Sequence, residues 1–226
     1  IWSKCARAIM AAARQGGGDP DANLALRYAV EEAKAANMPK DTIDNAIRKG
    51  TGDVEGVEYE EIVYEGYGPD GVAFIVHTLT DNRNRTAAEM KKLFERSGGN
   101  LGTSGCVAIV FTQQGEVLVP RDAGDEDSIM MAVLEAGAED VADTGESWQI
   151  LCDPQDLQSV RAALEEAGLP VERAGITMIP GNTVACSGRS AERVMEMLEA
   201  LEDLDDVQKV YANFEIPDEE LAALDS

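Results

Sequence analysis

The chain has a single histidine, His77, and only four cysteines in 226 residues. With that histidine in a strand-like apolar run, neither a Ser/His/Asp nor a Cys/His nucleophile set is expected. Cys5, Cys106, Cys152 and Cys186 lie far apart and form no CxxC pair, so no zinc site is expected. They read as buried free thiols of a reducing compartment. Phosphate-binding signatures are absent too: there is neither GxxxxGK[ST] nor a strand-to-helix GxGxxG. No catalytic residue, metal or cofactor is therefore expected. No apolar run approaches the ~20 residues needed to cross a bilayer, and no signal peptide is visible. A cytoplasmic protein with no membrane partner, expected to be monomeric, follows.

Basic residues are scarce as well. Nineteen Lys and Arg stand against 43 Asp and Glu, a net charge of −24, and the imbalance is uneven. Residues 1–55 carry eight basic and eight acidic side chains, and residues 81–100 carry five and three. Residues 121–226 carry six basic against 26 acidic. An acidic body repels polyphosphate at long range. Any nucleic-acid contact should therefore come from the first half, through Lys4, Arg14, Lys40, Arg48, Lys49, Arg83, Arg85, Lys91 and Arg96.

The apolar periodicity changes along the chain. Over residues 1–50 it is helical in three stretches. Trp2, Cys5, Ile9 and Ala13 mark the first, Leu26, Ala29, Val30 and Ala33 the second, and Ile43, Ala46 and Ile47 the third. Gly16-Gly17-Gly18-Asp19-Pro20 and Asn37-Met38-Pro39 separate them. Because Trp2 already lies in the first stripe and the chain opens at Ile1, a preceding segment is expected. After a polar linker at residues 50–56 the period becomes two. Strands are expected at 62–67 and 72–79, a helix at 87–97 and a strand at 106–111.

Residues 115–180 contain an internal echo: Leu134-Glu-Ala-Gly137 through Val141 resembles Leu164-Glu-Glu-Ala-Gly168 through Val171. Each reads as a helix end, a glycine stop and a strand start. The series is strand 116–119, helix 126–136, strands 139–143 and 148–152, helix 154–167 and strand 171–179. Asp153-Pro154 serves as cap and first position of the second helix. The order β-α-β-β-α-β is ferredoxin-like. Strands at 183–186 and 207–214 around a helix near 194–201 would then complete the unit begun at 72–111, and a short helix is expected after Pro217. The fold class is α+β: a three-helix domain at 1–55, a discontinuous domain at 56–113 and 182–226, and an inserted ferredoxin-like domain at 114–181.

The polar chemistry concentrates in residues 80–105. Arg83 and Arg85 alternate with asparagines in what reads as a loop. Thr86-Ala-Ala-Glu89 reads as a capping box, and Gly98-Gly99 stops the helix. Arginine forks match phosphate or stack on bases, and equally match neighbouring carboxylates. The segment Gly98, Gly99, Asn100, Gly102, Thr103, Ser104 and Gly105 could aim amides at an anion or simply make a tight connection. Tyr64 and Tyr67 could stack on bases or be half-buried strand residues.

The run from Asp81 to Thr86 (DNRNRT) followed by GGNLGTSG at residues 98–105 resembles the YebC family, which includes the mitochondrial translational activator of cytochrome oxidase subunit I. Further matches occur in the family's order at residues 15–23 (QGGGDPDAN), 37–41 (NMPKD) and 64–69 (YEGYGP). They span about residues 1–215. The resemblance implies a non-enzymatic regulator of gene expression, either DNA-binding in transcription or RNA-binding at the ribosome, and a short basic stretch ahead of Ile1. The residues alone do not choose between DNA and ribosomal RNA. They also leave open a small-molecule sensor using a cleft between the three domains.

Overall fold

The computed structural model describes residues 1–54 and 58–217. In chain order the elements are α1 (Trp2–Gly16), α2 (Leu24–Ala35), α3 (Lys40–Gly50), β1 (Glu60–Tyr67), β2 (Ala73–Thr80), α4 (Arg83–Arg96) and β3 (Asn100–Leu101). Then come β4 (Phe111–Pro120), α5 (Glu126–Val133), β5 (Ala138–Asp143), β6 (Ser147–Cys152), α6 (Leu157–Glu166) and β7 (Arg173–Pro180). The chain finishes with β8 (Val184–Ala185), α7 (Arg189–Glu202), β9 (Val207–Ala212) and β10 (Phe214–Glu215). They form two compact units, Ile1–Val110 with Asn182–Ser226, and Phe111–Gly181.

In the first unit, α1–α3 close over Ile9, Leu26, Ala33 and Ile43. Asn23 explains the polar break between the first two helices. Its Oδ1 accepts from Leu26 N and caps α2, while its Nδ2 donates to Ala12 O and Gly17 O, both at 2.8 Å. A buried amide satisfied on three sides fixes the angle between the helices.

The same unit carries a four-stranded antiparallel sheet in the order β3-β1-β2-β9. Helices α4 and α7 supply Met90, Phe94, Val194, Met197 and Leu201 to a core with Phe74 and Val76. Burying each such side chain is worth roughly 1.5–3 kcal/mol. Strands β8 and β10 form a separate parallel pair.

The second unit runs β-α-β-β-α-β with strand order β5-β6-β4-β7, all antiparallel, the ferredoxin-like arrangement. Both glycines of the internal echo lie in the left-handed region, Gly137 at φ 100° and Gly168 at φ 74°. Phe111 pairs with Pro180 in the β4–β7 ladder, so the segment enters and leaves at neighbouring points, as an insertion must.

The α+β class is as expected, with local differences. Helix α4 starts at Arg83 because Asn82 is the cap, accepting from Arg85 N at 3.1 Å. Thr86, expected as the cap, lies inside the helix with its hydroxyl turned to distant partners. Residues 106–111 do not form one strand: Asn100–Leu101 takes the free edge of β1 instead, and Ala108–Val110 is a 3-10 turn. Asp153 makes a turn rather than a helix cap, accepting from Gln155 N at 2.9 Å, and α6 begins only at Leu157. Residues 207–214 do not form one strand: Val207–Ala212 joins β2 as β9, while Phe214 begins β10, which pairs with β8. The helix expected after Pro217 lies outside the described residues.

Candidate nucleic-acid interface

The expected basic residues divide into those already held by the protein and those left exposed. Lys4 donates from Nζ to Glu202 O at the end of α7. Arg14 pairs with Glu58 at 2.6 Å, Lys91 with Glu95 at 3.9 Å, and Arg83 with Glu60 at 3.0 Å, all on the surface. Lys40, Arg48 and Lys49 of α3 and Arg96 of α4 are exposed and, among the described residues, make no ion pair.

Arg85 is in a different position. Starting α4 at Arg83 puts Arg85 in the first turn, where its Nη2 lies 2.9 Å from Asp81 and 2.7 Å from Asp206. Asp206 is only 3% exposed. Its Oδ2 is also 2.7 Å from Thr86 Oγ1 and 3.1 Å from Thr80 Oγ1. On its other side Arg7 of α1 brings a guanidinium within 3.1 Å of Oδ1, out of hydrogen-bond alignment, and donates to Asp205 O. One carboxylate thus ties α1, the end of β2 and the start of α4 together.

Burial alone would push the Asp206 carboxyl up. Hydrogen bonds from Arg85, Thr86 and Thr80 outweigh it and hold the group below the usual carboxylate range. Hydrogen bonds to Asp206 and then Asp81 raise the Arg85 pKa.

The glycine-rich loop does face an anion, the chain's own Glu65. Its Oε1 accepts from Gly105 N at 2.8 Å and its Oε2 from Val107 N at 3.1 Å, while Gly102 N donates to Glu65 O. Gly98 and Gly99 donate back to Glu95 and Phe94 and close α4. Asn100 lies in β3, and Thr103 and Ser104 remain exposed. Tyr64 packs against the core, and the Tyr67 hydroxyl donates to Cys106 O at 3.1 Å, so both are tied strand residues. Replacing Glu65 with Ala would strand two amides, one of them in a buried residue, at a cost of roughly 1–3 kcal/mol each. The expected result is a lower urea midpoint together with faster thiol modification of Cys106, and Glu65→Gln should fall between. Unchanged Cys106 reactivity would show that Glu65 does not hold the loop.

Burial and then Glu65 push the Cys106 thiol up, and burial followed by Asp156, Glu139 and Asp153 pushes Cys152 to about 11. Neither thiol is activated. Among the described residues no three His, Cys, Asp or Glu side chains are grouped to hold a metal ion, and no helix is long and apolar enough to cross a membrane.

Arg7, Thr80, Glu65 and Asp206 had no local signature. Asp206 ends the acidic run Asp203-Leu-Asp205-Asp206, where nothing nearby separates a buried carboxylate from its solvated neighbours.

A three-helix segment followed by two α+β units, the second threaded into the first, defines the class. The chain belongs to the TACO1/YebC family: residues 1–53 match the TACO1/YebC protein N-terminal domain and residues 59–214 the TACO1/YebC second and third domain. A probable transcriptional regulatory protein of Desulforapulum autotrophicum is 52% identical over 219 residues, covering 97% of this chain and 89% of the relative. One of Acidithiobacillus ferrooxidans is 52% identical over 226 residues, covering 100% and 90%. The crystal structure of a conserved hypothetical protein from Aquifex aeolicus superposes with a TM-score of 0.87 at 47% identity, covering 96% of this chain and 89% of that one.

Proposed function

We propose that the chain is a non-enzymatic regulator of gene expression that acts in the cytoplasm, as a monomer, by binding DNA or ribosomal RNA. The relatives' name, probable transcriptional regulatory protein, supports the regulatory role. The observation that carries the nucleic-acid reading is the exposed set Lys40, Arg48, Lys49 and Arg96, unpaired among the described residues, on a chain of net charge −24. Cations left unneutralised amid such an acid excess are available to phosphate. Arg83 joins them, because an exposed pair such as Arg83–Glu60 contributes only about 0–1 kcal/mol and exchanges readily. Thr103 and Ser104 offer hydroxyls to a phosphate, and Lys4, Arg14 and Lys91 would first have to leave their present partners. Arg85 contributes by holding the first turn of α4 in place.

Ultraviolet crosslinking in cells, followed by sequencing of the bound nucleic acid, tests this. Recovery of ribosomal RNA assigns the role to translation, and discrete promoter DNA assigns it to transcription. Recovery of neither overturns the nucleic-acid reading.

A further inference from the structure

Helices α1–α3 and the sheet of the same unit do not share an apolar core. The cluster closed by the helices and the cluster under α4 and α7 are separate. Between the two layers lies a cavity of about 320 Å³, lined by Ala8, Ala11 and Ala25 on one side and by Glu61, Val63 and Leu79 on the other. Val63 is left 43% exposed. Side chains that border a void lose the dispersion contacts that would hold the layers together.

Cations of α1 fasten the layers. Lys4 donates from Nζ to Glu202 O, and Arg7 donates to Asp205 O. Arg7 also lies 3.1 Å from Asp206 and 5.7 Å from the centre of the Tyr59 ring, and Arg14 pairs with Glu58 at 2.6 Å. Lys4 and Arg7 converge on the end of α7, whose last turn has no basic residue of its own. Helix C-termini attract cations, and the turn at residues 202–206 adds four carboxylates in five positions, Glu202, Asp203, Asp205 and Asp206. That turn presents α1 with a dense row of negative charge, as a phosphate backbone would.

We infer that this clasp is an autoinhibitory contact: the acidic turn at 202–206, with Glu58, occupies the cations Lys4, Arg7 and Arg14, and a polyanion that takes its place frees α1–α3 to swing off the sheet as a preformed unit. The inference rests on the nucleic-acid reading for its natural ligand, and it adds Arg7 to the residues that meet phosphate. Exposed pairs such as Arg14–Glu58 exchange readily. Release of Arg7 does not strand Asp206, which keeps Arg85, Thr80 and Thr86 as donors. The helical core travels with the helices, since none of its members comes from the sheet.

The test places a nitroxide on Glu61→Cys, in a full chain that also carries Cys106→Ser, and reads two-dimensional NMR intensities. In the free chain the label should broaden the signals of Ala8, Ala11 and Ala25, which share its cavity, and of Val63 on its own strand. Inorganic polyphosphate carries the charge without bases, and so separates this inference from the crosslinking result. Adding it should restore the three alanine signals and leave Val63 broadened, in a spectrum that stays dispersed. Lys4→Gln combined with Arg7→Gln should restore them with no polyphosphate present; if that variant fails to fold, the polyphosphate arm decides alone. Alanine signals that stay broadened at the highest polyphosphate concentration or in the folded double variant, or that recover equally in sodium chloride of matched ionic strength, would overturn the inference.

Discussion

Replacing Asp206 with alanine is expected to lower the melting temperature by roughly 6–12 °C at neutral pH. Removing one partner of a buried ion pair costs about 3–5 kcal/mol, because the remaining charges lose their counter-ion. The lower end applies, since Arg85 keeps 43% of its side chain in solvent and Arg7 keeps 15%. For a chain of this size each kcal/mol is worth about 2–4 °C. Asp206→Asn keeps the shape but removes the charge, and should lose most of the same stability.

The pH dependence has a definite sign. The Asp206 carboxyl is held below its ordinary value in the folded state. Its contribution is therefore fully present above the ordinary carboxylate range and is lost as pH falls through that range and below. The stability gap between the native chain and Asp206→Asn should be widest near neutrality and close as the solution is acidified. A gap that stays constant with pH, or an Asp206→Asn variant as stable as the native chain, would show that the three donors are not held by charge.

The same residue shows what was legible in the sequence. The helices of the first fifty residues announce themselves through 3.6-residue stripes, and the inserted unit through its glycine-stopped echo, because both signals are local. The start of α4 was misplaced since Asn82 and Thr86 are both competent caps, and the choice was made by Asp206, 120 positions away. The glycine-rich loop could be read as anion-facing or as a tight connection, and the anion its amides meet is Glu65, forty positions earlier on β1. Residues 106–111 have the composition of a strand, yet Val107 spends its amide on that same carboxylate. In each case the deciding partner is remote in sequence, and a local pattern carries no information about it.

That long-range pairing changes how the arginines should be tested. Substituting Arg83 and Arg85 together would mix loss of a phosphate contact with loss of the Asp206 anchor. Arg83→Ala combined with Arg48→Ala and Lys49→Ala removes exposed charge alone. With three phosphate contacts gone, the slope of log K against log salt should become shallower by roughly 2–3, at 0.7–0.9 per contact. The melting temperature should scarcely move, since the one surface pair lost contributes about 0–1 kcal/mol. Arg85→Ala should show the converse: a marked loss of stability, with a binding defect only in proportion to the unfolded fraction. Arg161→Ala with Arg173→Ala, in the inserted unit, where the arginines pair with Glu165 and Glu116, serves as a control that removes two positive charges elsewhere and should leave the salt slope unchanged. If the triple variant binds with the native slope, α3 and the first turn of α4 do not touch phosphate, and the acidic chain engages its partner through another surface.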